Sequence, residues 1–311
     1  MNDLLSSPQM MGLLLQALGV AMIAALSFTL LRTIRRVPLK PWTAAWLVLF
    51  TALSALLTAF RVPAWMPVLL PIYMAGEYAF GLLMWIGCRE FVTGRPPHRG
   101  DLWLVAALGL FALAGGLARS ASFTGVLAVH TAIYAVLLLL GYRQLRFARP
   151  TPRTAPGVRV LRLGFLMLGL VNLTYAFVAG AGVAGLITHE PAVLEYSSFY
   201  DSLLLTMLGF GMVMTATGEV QSDLEKARDR LTGMAQKDHL TAAFNRHAFY
   251  ALLDRDLTGT AVIADVDNLK SINDRHGHSA GDAAIRAVAT AIRGCIRADD
   301  LLFRWGGDEF L

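Results

Sequence analysis

The chain is predicted to be a multi-span α-helical membrane domain of about seven helices joined to half of an α/β domain. Three observations predict this. The 311 residues are 56% hydrophobic and 16% charged, with a mean hydropathy of +0.54, whereas a soluble protein carries roughly 25% charged residues. The apolar residues gather into runs close to the ~20 residues that cross a bilayer. After residue 218 charged residues return, and from residue 238 short apolar runs alternate with helical stripes.

The expected spans are 10–31, 42–60, 66–87, 102–118, 122–141, 163–187 and 200–218. The loop after the first carries Arg32, Arg35, Arg36 and Lys40. The loop after the third carries Arg89, Arg95 and Arg99, and the loop after the fifth Arg143, Arg146, Arg149, Arg153, Arg159 and Arg162. The intervening loops carry Arg61, Arg119 and, in the last case, no basic residue. Basic loops stay cytoplasmic. Thirteen basic residues against two therefore place the N-terminus outside and the C-terminus inside, as an odd number of spans requires. The net charge of +5 is mostly this arginine, so it reads as a topology signal and no nucleic-acid partner is expected. The first run has no basic stretch before it and is followed by more spans, so no cleavable signal is expected. Cys88 and Cys295 fall in different domains and offer no disulfide framework.

Polar residues at membrane depth are Glu77, His130, Asn172 and Tyr175. Such a residue is by default a ligand or proton site, against the plainer reading of an interhelical hydrogen bond. The plainer reading is favoured for His130, Asn172 and Tyr175. For Glu77, beside Gly76 and after Pro71, the two stand level.

Residues 219–237 are read as a helical connector. Val213, Thr217, Val220, Leu224, Ala227, Leu231 and Met234 are spaced alternately four and three apart, the period of a coiled-coil seam. That seam predicts a parallel homodimer, against the alternative of a helix lying on its own domain. The resulting division is 1–218 membrane domain, 219–237 connector and 238–311 α/β half-domain.

Within 238–311, Asn245 is placed to cap a helix whose apolar face is Phe249, Leu252 and Leu253. TAVIADVD, residues 260–267, reads as a buried strand ending in acids. A short helix and a glycine-rich bend follow. Ile285, Val288, Ala289, Ile292 and Ile296 form a helical stripe. DLLFRW, residues 300–305, reads as a second strand and GGDE as a hairpin turn. Gly306 and Gly307 permit close backbone approach to a nucleotide. Were the two strands neighbours or nearly so, Asp308 would meet Asp265 at one sheet edge, and paired carboxylates around Mg²⁺ suit phosphoryl chemistry.

Four motifs stand in order: Asp238-x-Leu240-Thr241 with Asn245-Arg246; Asp265-x-Asp267-x-x-Lys270-x-x-Asn273-Asp274; Gly277-His278-x-x-Gly281-Asp282; and Gly306-Gly307-Asp308-Glu309-Phe310. Together they resemble the GGDEF domain, the catalytic module of diguanylate cyclases; the fold is then an incomplete nucleotidyl-cyclase-like GGDEF domain behind a membrane sensor. The resemblance implies that two domains face each other, each with one GTP, and form cyclic di-GMP and pyrophosphate. It implies Mg²⁺ (or Mn²⁺) on Asp265, the Val266 carbonyl, Asp308 and Glu309, with Asp308 and Glu309 catalytic. Asn273 and Asp282 would read guanine, with His278 nearby. The backbone of Asn268, Leu269, Gly306 and Gly307 would meet the phosphates, with Lys270 a candidate neighbour. Arg297 and Asp300 fit an inhibitory product site for cyclic di-GMP, against the plainer reading of a helix end followed by turn acids. The implied location is a bacterial cytoplasmic membrane with the GGDEF domain in the cytoplasm.

The chain departs from the family pattern at Ala242 and Ala243, which replace a usual Gly-Leu, at His247, and at Asn268-Leu269. The resemblance also implies a domain that continues beyond residue 311. The chain alone is therefore expected to be inactive and its parent a cyclase. Two other readings are a non-catalytic module that binds GTP or cyclic di-GMP, and a membrane receptor or transporter with a regulatory tail.

Overall fold

A computed structural model describes residues 8–33, 39–117, 123–187, 192–252 and 259–311. It forms two compact units, Met1–Ser222 and Asp223–Leu311. Of the residues singled out above, Arg35, Arg36, Arg119 and Leu253 lie outside those described, as do the side chains of Leu231 and Met234.

The first unit is helical. Its elements are α1 (Pro8–Thr33), α2 (Leu39–Arg61), α3 (Met66–Thr93), α4 (Arg99–Leu117), α5 (Phe123–Leu145), α6 (Ala155–Val183), the one-turn α7 (Ala192–Glu195) and α8 (Ser197–Ala235), with a 3₁₀ turn at Pro63–Trp65. Among the described residues six stretches are long and apolar enough to cross a membrane: Pro8–Arg32, Leu39–Arg61, Pro63–Thr93, Thr124–Leu145, Ala155–Val183 and Ser197–Asp229. The expected fourth span, 102–118, is helical as α4 but is not among the six. Arg99 and Asp101 occupy its first turn. The apolar stretch 102–117 then covers about 24 Å at ~1.5 Å per residue, short of the ~30 Å of hydrocarbon.

Small residues let these helices approach closely. A Cβ on Gly157 of α6 would collide with the Thr215 backbone of α8, and one on Gly211 of α8 would lie 2.8 Å from the Leu161 amide nitrogen. Gly87 of α3 makes room for the Trp42 indole of α2. That indole donates to the Met84 carbonyl at 3.3 Å. Trp46 is fully buried with its ring edge-on to Phe80 at 5.1 Å. Two basic side chains fix loop ends. Arg162 donates to the Leu145 carbonyl at 2.9 and 2.6 Å, and Arg89 grips Asp101 with both guanidinium nitrogens.

Helix α8 is unbroken from Ser197 to Ala235. Of its expected seam residues, Val213 and Val220 are half-buried, while Thr217, Leu224 and Ala227 are exposed.

The second unit holds β1 (Phe244–Asn245), α9 (Arg246–Leu252), β2 (Ala264–Asp265), α10 (Leu269–His276), α11 (His278–Cys295), β3 (Phe303–Arg304) and β4 (Glu309–Phe310). The sheet order is β1-β3-β4-β2; β1 and β3 are parallel, and the other pairs antiparallel. Asn245 caps α9 as anticipated: its Oδ1 accepts from the Ala248 amide at 3.0 Å. The α11 stripe buries Ile285 and Ala289 against Ala243, Val266, Leu302 and Phe310, with Val288, Ile292 and Ile296 packed beside them.

One expectation is corrected. The run 260–267 is not a buried strand throughout: only Ala264–Asp265 pairs, and Val262 and Ile263 are 69% and 79% exposed. Its single described neighbour is the two-residue β4, so the ladder has nothing to extend along. The strands carrying Asp265 and Arg304 are near neighbours as anticipated, separated by β4 alone.

Candidate active site

The acids meet because the hairpin folds β4 back between β3 and β2. Asp265 stands opposite Glu309 in the antiparallel register, which places both on one face. The Val266 amide donates to the Asp308 carbonyl at 3.1 Å. Asp265 and Glu309 are exposed, Asp308 is half-buried and Val266 is buried. Four of the expected metal and catalytic positions thus occupy adjoining registers of two strands.

The hairpin itself is held by a residue that sequence reasoning missed. Arg304 donates through Nε and Nη2 to the Gly307 carbonyl at 3.2 and 2.6 Å. Its Nη1 reaches both oxygens of Asp238 at 3.1 and 3.2 Å. Asp238 also accepts from the Thr241 amide at 2.9 Å and hydroxyl at 2.7 Å. Burial pushes the Asp238 carboxyl up, but Thr241 and Arg304 more than offset it and hold it below the usual carboxylate range. One guanidinium therefore joins the first motif to the last. Around it, Phe249 meets Trp305 edge-on at 5.0 Å, and the Arg246 guanidinium lies 5.0 Å from the Trp305 ring.

The same loop explains one departure from the family pattern. Ala242 has φ +57°, a left-handed conformation that glycine adopts at little cost. Asn268 shares it at φ +58° at the position just before α10; asparagine tolerates that region better than most residues.

The expected guanine readers form a second cluster. Asn273 on α10 faces α11 so closely that a Cβ on Gly281 would collide with its Oδ1. That oxygen is buried and has no hydrogen-bond partner. Asp282 and His278 occupy the first turns of α11 and are exposed. Leu269 packs into the core at the start of α10. Gly306 and Gly307 are exposed at the bend. Arg297 and Asp300 share an exposed turn after α11, where the Asp300 carboxylate accepts from the Arg297 amide at 2.8 Å. Asp300 thus serves its own turn through one carboxylate oxygen.

Asp265, Asp308, Glu309 and the Val266 carbonyl offer only hard oxygen donors, the chemistry that suits Mg²⁺. Among the described residues, no three Asp, Glu, His or Cys side chains already converge tightly enough to hold an ion.

Residues 226–311 match the family model described as "Diguanylate cyclase, GGDEF domain". Similar curated proteins include the probable diguanylate cyclase DgcC of Escherichia coli, 30% identical over 151 residues, covering 46% of this chain and 40% of that one. Diguanylate cyclase TpbB of Pseudomonas aeruginosa is 36% identical over 116 residues, covering 34% of this chain and 27% of that one. The cyclic di-GMP phosphodiesterase PdeR of Escherichia coli is 36% identical over 104 residues, covering 32% of this chain and 16% of that one. The chain therefore spans less than half the length of each of these relatives. No solved structure matches it. Residues 226–311 belong to the GGDEF domain family of diguanylate cyclases, and the chain carries them behind helices long and apolar enough to cross a membrane.

Proposed function

We propose that the protein is a membrane-anchored diguanylate cyclase that condenses two GTP molecules into cyclic di-GMP and two pyrophosphates. The observation that carries this reading is the register of Asp265 opposite Glu309, with the Asp308 carbonyl bound to the Val266 amide. In the reaction each GTP presents its 3′-hydroxyl to the α-phosphate of the other. Two GGDEF domains therefore face each other in a homodimer, through the domains themselves and the seam of α8. Asp265, Asp308, Glu309 and the Val266 carbonyl would hold Mg²⁺, which neutralises phosphate charge and lowers the pKa of an attacking hydroxyl. Asp308 and Glu309 line the reacting hydroxyl. The exposed Gly306-Gly307 bend, with Asn268 and Leu269, receives the phosphates. Asn273 and Asp282, near His278, read the guanine edge. Arg297 and Asp300 form a surface site for the product. The three-part division at residues 218 and 237 belongs to the same reading: sensor, connector and catalytic module.

We also propose that α4, though short, spans together with the other six where the bilayer thins locally to match it, so that the basic loops lie in the cytoplasm with the GGDEF domain and the N-terminus lies outside.

A second reading is a module that binds GTP or cyclic di-GMP without synthesis. It is favoured by the likeness to a protein named as a cyclic di-GMP phosphodiesterase. Cyclic di-GMP in cells expressing the protein at the length its natural gene encodes separates the two. A rise that vanishes with Asp265→Ala supports synthesis. An unchanged level with intact protein in the membrane sinks the cyclase reading.

A further inference from the structure

The first unit buries a charged cluster where three helices meet. Glu77 of α3 is 6% exposed and His130 of α5 is 3% exposed. Their side chains meet at 2.7 Å, Glu77 Oε2 to His130 Nε2. The other imidazole nitrogen, His130 Nδ1, is buried without a hydrogen-bond partner, and so is Oδ1 of Asp201 in the second turn of α8. Asp201 and Glu77 are close enough for their charges to interact.

Four tyrosines complete the surroundings. The rings of Tyr78, Tyr73 and Tyr134 lie 5.1, 6.0 and 6.5 Å from the His130 ring. Tyr73 lies near enough to Glu77 to interact with it, and the Tyr175 hydroxyl of α6, which donates to the Ser197 carbonyl at 3.3 Å, lies near enough to Asp201 to do the same. Helices α1, α2 and α4 bring no ionisable side chain at this depth: residues 9–31, 42–60 and 102–117 contain none.

Charge and hydrogen bonding must both balance here. Two carboxylates and one imidazole are anionic overall unless a cation or additional protons are taken up. A net charge among apolar helices is costly, and so is a buried polar atom without a partner. Among the described residues no three Asp, Glu, His or Cys side chains are placed to hold a metal ion. A proton needs no such cage. It adds to an oxygen of Asp201, converts a bare acceptor into a donor, and removes one unit of negative charge.

We propose that Glu77, His130 and Asp201 form a proton-binding site inside the membrane unit. Its occupancy sets the charge at the junction of α3, α5 and the second turn of α8, and so the way α8 packs there. The site is independent of nucleotide chemistry.

The test is pH-difference infrared spectroscopy on the full chain in lipid nanodiscs. A protonated-carboxyl band should grow as the pH falls across roughly pH 8 to 5. Glu77→Gln and Asp201→Asn should each diminish it, and the double variant should abolish it. The wild-type spectrum decides without any variant: no carboxyl change in that range overturns the site. Survival of the band in a folded double variant also overturns it. A midpoint that moves with Na⁺ at fixed ionic strength would replace the proton with a metal cation.

Discussion

Arg304 shows how much of the catalytic unit depends on one side chain. It spans 66 residues of sequence to Asp238 while holding the Gly307 carbonyl. Replacing Arg304 with Leu should cost about 2–5 kcal/mol, because it leaves a partly buried carboxylate and a hairpin carbonyl unpaired. Hydrogen exchange of residues 238–311 in the full chain measures this. Asp238 adds a pH dependence of definite sign. Its folded carboxyl titrates below the ordinary value. Its contribution is therefore complete above about pH 4 and is lost as the pH falls through the lower folded value. Asp238→Asn should flatten that acid limb in urea unfolding monitored by the same exchange. Ala242 argues in the opposite direction. At φ +57°, Ala242→Gly should stabilise the unit by roughly 1 kcal/mol. An unchanged or lower stability would mean that the loop carries no strain.

At the scale of elements, the α10–α11 contact invites a direct test. Gly281→Ala places a methyl group against Asn273 Oδ1. If Asn273 reads guanine, KM for GTP should rise by about 10-fold or more with less effect on kcat; an unchanged KM would remove Asn273 from the pocket. The membrane helices, the Asn245 cap and the α11 stripe were legible in the sequence because each depends on composition or on neighbours within a few turns. The sheet order was not. Strands of two residues carry little periodic signal, and β4 takes its place between β3 and β2 through the hairpin and Arg304, a long-range contact. The polar cluster was half visible. Glu77 and His130 stood out by depth, but their pairing joins residues 53 apart. Asp201 escaped notice because it sits one turn inside the start of α8, where an acid reads as a span edge.

For the whole molecule the account joins a helical membrane unit to a GGDEF domain through α8, a helix of 39 residues. The exposed Leu224 lies on the proposed dimer seam. Leu224→Arg should lower the dimer fraction in detergent by about 10-fold or more, as analytical ultracentrifugation would read, since a charge at a seam position is repelled by its own copy. A dimer of undiminished strength would move the interface elsewhere. The central claim is the chemistry of the acids brought together by β2 and β4. The most direct measurement is turnover of α-labelled GTP with Mg²⁺, using protein purified at the length its natural gene encodes, beside Asp308→Ala. The account predicts labelled cyclic di-GMP from the wild type and a loss of at least ~100-fold in the variant. Equal product from both, or bound GTP that is never converted, would contradict it.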